Sequence, residues 1–306
     1  MATQYNTFAI TDRGAARKKN EDQFLVASRF RSSPRSYTAT DSSVVNVRGG
    51  DQLLLAVADG VGGHRGGEVA SRIAVETLRN EFDKSSRTAS IKLTPEDDLR
   101  RAVIQCNRNI SDRSFEDPDL YGMATTLTVA LIENGKVFIA HVGDSRCYLH
   151  SGSSLKQLTN DHTMAELIKN SRRVSLSTSH LLYNCIGGYH PGEMMIDFTE
   201  CELSEGDTLV LTTDGLLRHV DETEIVEALR SDTFTVSVLN DLVGKANERG
   251  GRDNIAVVIV RNEPEVVEAS LKIQSVTPVP AKATNESIWA RLLASFGASN
   301  SINTVG

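Results

Sequence analysis

The chain has 306 residues, enough for one large domain or two small ones with a core that needs no disulfide staples. A net charge of −7 argues against a general nucleic-acid binder, because a phosphate backbone calls for a basic surface. The apolar runs, such as Leu53–Ala58, fall well short of the roughly 20 residues that a membrane span requires, so no transmembrane segment is expected. Cys106, Cys147, Cys185 and Cys201 form no C-x-x-C pair, and the N-terminus lacks a basic stretch followed by an apolar one. Together these features predict a protein of the reducing cytoplasm.

In chain order, residues 5–11 and 23–28 read as short strands. Residues 29–51, rich in Ser, Thr and Arg, read mainly as a loop. The run LLLAVA at 53–58 reads as a buried strand ending at Asp59-Gly60. From Gly67, the spacing of Val69, Ile73, Leu78 and Phe82 predicts a helix with one apolar face. A second helix is expected over 95–114, with Thr94 as its N-cap, Pro95 in its first turn, and Glu96, Asp97 and Asp98 at the positive end of the dipole.

Strands follow at 125–132, 137–142 and 146–150, the first two joined by the hairpin signal Asn134-Gly135. Residues 160–192 look irregular. Residues 208–213 form another apolar run, ending at Asp214-Gly215. Helices are expected at 221–230 and 235–249, and a last buried strand, IAVVIV, at 255–260 after Arg252-Asp253-Asn254. Hairpin-linked strands with grouped helices predict an α+β fold, antiparallel sheets with helices packed outside. The tail beyond residue 262 differs: SVTPVPAKATNE at 275–286 reads as a Pro-containing linker. After it, Ile288, Trp289, Leu292, Leu293 and Phe296 fall on one helical stripe, a candidate docking element for a partner.

Asp59, Asp214 and Asp253 share one placement, a carboxylate where a buried strand meets a turn, and Glu21-Asp22 stands just before the apolar Phe24–Ala27. Asp-Gly after a strand is by itself a turn signal. If these strand ends lie side by side, however, the acids converge, repel and resist desolvation. A hard divalent cation such as Mg²⁺ or Mn²⁺ relieves both problems through oxygen ligands.

Seven segments occur in order: ARKKNEDQF (16–24), VADGVGGHRGGE (57–68), GMATT (122–126), HVGDSRCYL (141–149), LTNDHT (158–163), LTTDGL (211–216) and GGRDNIAVV (250–258). This set resembles the bacterial form of the type-2C, metal-dependent serine/threonine protein phosphatases, over about residues 5–261. The resemblance implies a phosphatase domain at 1–262 with a separate tail at 263–306. It also implies a sandwich of two antiparallel β-sheets flanked by helices, in α-β-β-α layers, with two Mn²⁺ or Mg²⁺ ions in a cleft at one edge. Carried over residue by residue, it makes Asp59 the carboxylate bridging both ions and gives the carbonyl of Gly60 to the second. Asp214 and Asp253 match acids on the first ion, and Asp22 beside Glu21 matches the pair that holds metal-bound waters. Arg17 matches the arginine that binds substrate phosphate, a role suited to its bidentate fork. Asp119 stands where bacterial members place an aspartate for a weaker third ion.

The chain departs from the family pattern at Ala124, where glycine is usual, and at Val61, where eukaryotic members carry a histidine proposed as general acid. His64 lies three residues further on and reads as a loop histidine. His141 reads as a satisfied core residue, His162 as a loop anchor, and Asp144 as a structural acid bonding turn amides or Arg146. The expected reaction is hydrolysis of phosphoserine or phosphothreonine in the protein substrates of a serine/threonine kinase, by metal-activated water. The competing readings are a non-catalytic phosphoprotein-binding scaffold on the same fold and a phosphatase of small phosphoesters.

Overall fold

The computed structural model describes residues 4–30, 33–39, 44–48, 52–61, 66–85, 94–168, 181–188, 194–230 and 235–263. The tail linker and helix, and His64, lie outside the described residues. Strands β1 (Gln4–Asp12), β2 (Asp22–Phe30), β3 (Ser33–Ala39), β4 (Val44–Arg48) and β5 (Gln52–Asp59) precede two long helices, α1 (Gly67–Ser85) and α2 (Pro95–Glu116). After a 3₁₀ turn at Pro118–Leu120 come β6 (Ala124–Thr125), β7 (Leu127–Glu133), β8 (Lys136–Val142), β9 (Arg146–Ser151) and β10 (Ser154–Gln157). The single turn α3 (Met164–Leu167) leads through β11 (Ile186–Gly187) and β12 (Asp197–Glu202) to β13 (Thr208–Thr212). The short α4 (Asp214–Leu217), then α5 (Glu222–Leu229), α6 (Ser237–Glu248) and β14 (Ile255–Glu263) follow.

Two six-stranded antiparallel sheets form among the described residues, ordered β10-β9-β13-β14-β1-β4 and β12-β8-β7-β5-β2-β3, beside a small two-stranded pair of β11 and β6. Their strands alternate strictly in what they bury. On β2, Leu25 and Ala27 pack under α1 and α2, while Phe24 and Val26 face the other sheet. On β14, Ala256, Val258 and Val260 face inward, and Ile255, Val257 and Ile259 pack under α5 and α6. Burial on both faces explains why the central strands read as continuous apolar runs. The four layers run helix, sheet, sheet, helix, which agrees with the expected α+β sandwich.

Local signals also hold. The Thr94 side chain accepts from the Asp97 amide, and Pro95 sits in the first turn of α2. Asn134 and Gly135 both take positive φ, 53° and 79°, and close the β7–β8 hairpin as the primed turns demand.

The reading of 29–51 mainly as loop is corrected. Residues 33–39 pair with β2 and residues 44–48 with β1. Strands β10 and β12, which carry little apolar signal, were not expected either. Asp214 does not end a strand in a simple turn but opens α4.

Leu55 is fully buried between the sheets. Leu55→Ala is expected to destabilise the fold by about 2–5 kcal/mol, the range for a buried leucine truncation. Urea denaturation measures this, and a loss below about 1 kcal/mol would contradict the inter-sheet placement.

Candidate metal centre

The antiparallel register sets Asp22, at the start of β2, directly opposite Asp59, at the end of β5. On the facing sheet, β13 runs into Asp214 and β14 begins just after Asp253. Stacking the sheets brings these four strand ends to one edge. A cross-sheet hydrogen bond ties them: the Thr213 hydroxyl donates to Asp22 Oδ2 at 2.7 Å and accepts from the Ala256 amide at 2.9 Å.

The backbone around Asp59 is fixed on both sides. Its amide donates to Thr126 Oγ1 at 3.0 Å, and its carbonyl accepts from the Thr125 hydroxyl and the Thr126 amide at 2.8 Å each. The Gly60 amide donates to the Glu21 carbonyl. A Cβ on Gly60 would lie 2.4 Å from the Gly67 backbone, so only glycine lets the loop turn here beside the start of α1. At Ala124, where the family has glycine, the carbonyl accepts from the Val61 amide at 3.0 Å.

Asn254, which sequence reasoning passed over, clamps the other side. Its side chain donates to the carbonyls of Arg13 and Lys19 and accepts from the Glu21 amide. Gly215 packs so close to the Asn254 carbonyl that a Cβ would sit 1.8 Å away. The GGRDN segment held the only sequence hint of this clamp.

Electrostatics follow from this crowding. Burial, and then the neighbouring Asp214 and Asp253, push the Asp22 carboxyl up to about 8, against the bonds it accepts. Asp59 is raised well above the carboxylate range by burial, then by Asp22, Asp214, Asp144 and Asp253. Asp144 is pushed up to about 7, by burial first and then by Asp214. It sits beside Asp214 and bonds its own turn amide, one of the two partners the sequence reading allowed. Arg146 instead grips Asp161, at 2.7 Å from Nη2 to Oδ2.

The turn that carries Asp144 hangs on His162. Its Nδ1 accepts from the Gly143 amide at 3.1 Å, and the His162 amide donates to the Gly143 carbonyl at 2.7 Å. His162 is thus a loop anchor, as expected. His141 is a satisfied core residue between Thr128 Oγ1 and the Asn160 carbonyl, its pKa pushed down to about 4 by burial first and then by His162.

Arg17 and Arg218 meet the acids from the solvent side. Arg17 Nη2 lies 2.7 Å from Asp253 Oδ1, and its Nε donates to the Arg252 carbonyl at 3.1 Å. Arg218 donates to Asp214 Oδ2 through Nε, at 3.1 Å, and through Nη2. The (i, i+4) spacing from Asp214 was the available sequence signal for Arg218. Asp119 is exposed on the 3₁₀ turn, outside the buried group.

The residues fit a cation. Oδ1 of Asp22 and Oδ1 of Asp214 are both buried without a hydrogen-bond partner, which is costly for a carboxylate unless positive charge satisfies it. The donors are all oxygens, the set that hard divalent ions prefer. Among the described residues no three acidic, His or Cys side chains already surround one point, and Asp214 and Asp253 turn to arginines instead.

A family model described as Protein phosphatase 2C matches residues 36–258. The chain belongs to the protein phosphatase 2C family. Within this family it is 32% identical to the serine/threonine phosphatase stp of Listeria monocytogenes, over 83% of this chain and 94% of that protein. It is 31% identical to the serine/threonine protein phosphatase PstP of Mycobacterium tuberculosis, over 82% of this chain and 44% of that longer one. Among solved protein phosphatase 2C structures, the PstP catalytic domain in complex with two manganese ions overlays with a TM-score of 0.67 at 30% identity. That match covers 86% of this chain and all of the other. The serine/threonine phosphatase of S. agalactiae overlays with a TM-score of 0.68 at 26% identity, over 85% of this chain and all of the other.

The raised carboxyls give a signed pH dependence. A carboxyl whose folded pKa lies above its unfolded value stabilises least once it must ionise in place. The metal-free fold should therefore lose stability as pH rises from about 4 through about 8, the window set by the Asp22 and Asp144 shifts. Thermal melting in chelator across that range checks this, and a Tm that rises steadily to pH 8 would contradict it.

Proposed function

We infer that this chain is a serine/threonine protein phosphatase hydrolysing phosphoserine and phosphothreonine, with residues 1–262 as its catalytic domain. The observation that carries the reading is the meeting of Asp22, fully buried, with the partly exposed Asp59, Asp214 and Asp253 at neighbouring strand ends in a protein phosphatase 2C chain. In this reading Asp59 would serve both of two divalent cations, Asp214 and Asp253 one of them and the Gly60 carbonyl the other, with Asp22 behind it. Mn²⁺ and Mg²⁺ both suit this oxygen set, and a solved PstP catalytic domain is in complex with two manganese ions. When bound, such ions lower the pKa of water from 15.7 towards about 7 and so supply hydroxide at neutral pH. Asp119 is the candidate ligand for a third, weaker ion.

The protein's own groups do the remaining work. Arg17, with 43% of its side chain exposed at the cleft mouth, presents a fork that matches phosphoryl oxygens and offsets charge that grows there. Thr125 and Thr126 hold the Asp59 backbone, and Asn254 holds the Glu21 segment, so the acids cannot spread apart. No described cysteine is set up as a nucleophile, since burial pushes the thiols of Cys106, Cys147 and Cys185 upward, the last to about 12. A non-catalytic scaffold would not need to keep four mutually repelling acids together at one edge.

Phosphorylated substrates of a serine/threonine kinase in the cytoplasm are the proposed partners. The four cysteines are free, and no helix among the described residues is long and apolar enough to cross a membrane. The tail beyond 262 is proposed as an accessory docking segment.

Phosphate release from phosphothreonine peptides should require Mn²⁺ or Mg²⁺ and stop with chelator. Asp59→Asn and Asp214→Asn should each lower kcat by about a hundredfold or more, the scale of losing a key transition-state electrostatic contact. Purified, folded Asp59→Asn enzyme with a near-native rate would overturn the assignment. Deleting 275–306 should leave hydrolysis of a small phosphoester unchanged within about twofold, and a folded but inactive truncation would refute the accessory role.

A further inference from the structure

We propose that Arg218 is a resident counter-ion of the acid cluster, bound across Asp214 and Asp253 in the metal-free protein and displaced from them when a divalent cation enters. The proposal rests on the metal-site reading above and concerns what occupies that site before metal does.

Geometry carries it. Arg218 caps the C-terminal end of α4, four residues after Asp214. Its Nε and Nη2 both donate to Asp214 Oδ2, and the same Nε stands 3.6 Å from Asp253 Oδ2. One guanidinium thus spans carboxylates from the ends of two adjacent strands, β13 and β14. These are the two acids assigned to a single ion. The other oxygen of Asp214, Oδ1, is buried and has no hydrogen-bond partner. Arg218 therefore leaves the inward half of that carboxylate unsatisfied while it neutralises the outward half.

The charge balance points the same way. Asp22, Asp59, Asp144, Asp214 and Asp253 crowd one edge, and the positive charge of Arg218 acts on Asp59 and Asp144 as well as on its direct partners. Without a cation there, the like charges repel one another inside a frame that keeps them from spreading. Metal and guanidinium compete for the same oxygens, so the fraction of molecules with Arg218 in place weakens apparent metal affinity in proportion.

Arg218 is also built to leave. Nearly half of its side chain, 48%, is exposed, so its charge can return to water with little rearrangement. Arg17, the second guanidinium on Asp253, is instead fastened by its bond to the Arg252 carbonyl. Among the described residues the hydrogen bonds of Arg218 all go to Asp214. Arg17 is the fixed cation of the site and Arg218 the exchangeable one.

The test needs no turnover. Mg²⁺ and Mn²⁺ binding to the full chain is measured by calorimetry for the native protein, Arg218→Gln and Arg218→Lys, with folding checked by melting at saturating Mg²⁺. Arg218→Gln should bind about tenfold more tightly, and its chelated form should melt below the native one. Arg218→Lys keeps the charge but loses the fork, so it should fall between the two. In the native protein, the Arg218 Nε–H resonance should be slow to exchange in chelator and move to a solvent-exchanging position as diamagnetic Mg²⁺ saturates the site. Unchanged or weaker binding by Arg218→Gln would overturn the proposal, as would an Arg218 signal that stays put at saturation. If the native protein binds no Mg²⁺ at all, the metal-site reading itself fails and this proposal falls with it.

Discussion

Buried like charge is the constraint on which the structure turns. Asp22 and Asp59 face each other across a strand pair, and Asp214, Asp253 and Asp144 close the group. Burial and mutual repulsion raise the carboxyls of Asp22, Asp59 and Asp144, and unrestrained repulsion would drive the strand ends apart. The fold prevents the second outcome. The Thr213 hydroxyl bridges the sheets, Thr125 and Thr126 fasten the end of β5, and Asn254 fastens the segment before β2. The frame thus stores repulsion that positive charge relieves, which is the physical basis of metal binding at this edge.

Two kinds of positive charge serve that purpose. In the proposed reading divalent ions would answer the unpartnered oxygens of Asp22 and Asp214, while arginines hold the outward oxygens of Asp214 and Asp253. The division explains how one cleft can be rigid and yet loadable. Thr125, Thr126 and Asn254 hold backbone and do not depend on charge, whereas Arg218 holds carboxylates and can be exchanged.

Much of this was legible in the sequence, and what was not has a common cause. The strands buried on both faces, such as β5 and β14, announced themselves as LLLAVA and IAVVIV. The unexpected strands β3, β4, β10 and β12 are the outermost strands of the two sheets. An edge strand has one ladder partner and needs less apolar surface, so Pro34 and the serines of β3 are tolerated there. The acids at strand ends were recognisable because Asp-Gly after an apolar run marks a boundary. Their supports were not: Thr213, Asn254 and His162 act through contacts 19 to 241 residues away along the chain, which spacing alone does not reveal. Asp144 changed meaning for the same reason, since only the folded turn sets it against Asp214.

The most direct test of the acid convergence is anomalous diffraction from crystals grown with Mn²⁺, collected at the manganese edge. Two strong peaks should appear at this edge of the sandwich, one within coordinating reach of Asp59, Asp214 and Asp253 and the other between Asp59 and the Gly60 carbonyl. Peaks found only elsewhere, or a cleft without manganese in crystals of active protein, would contradict the convergence as the seat of the chemistry.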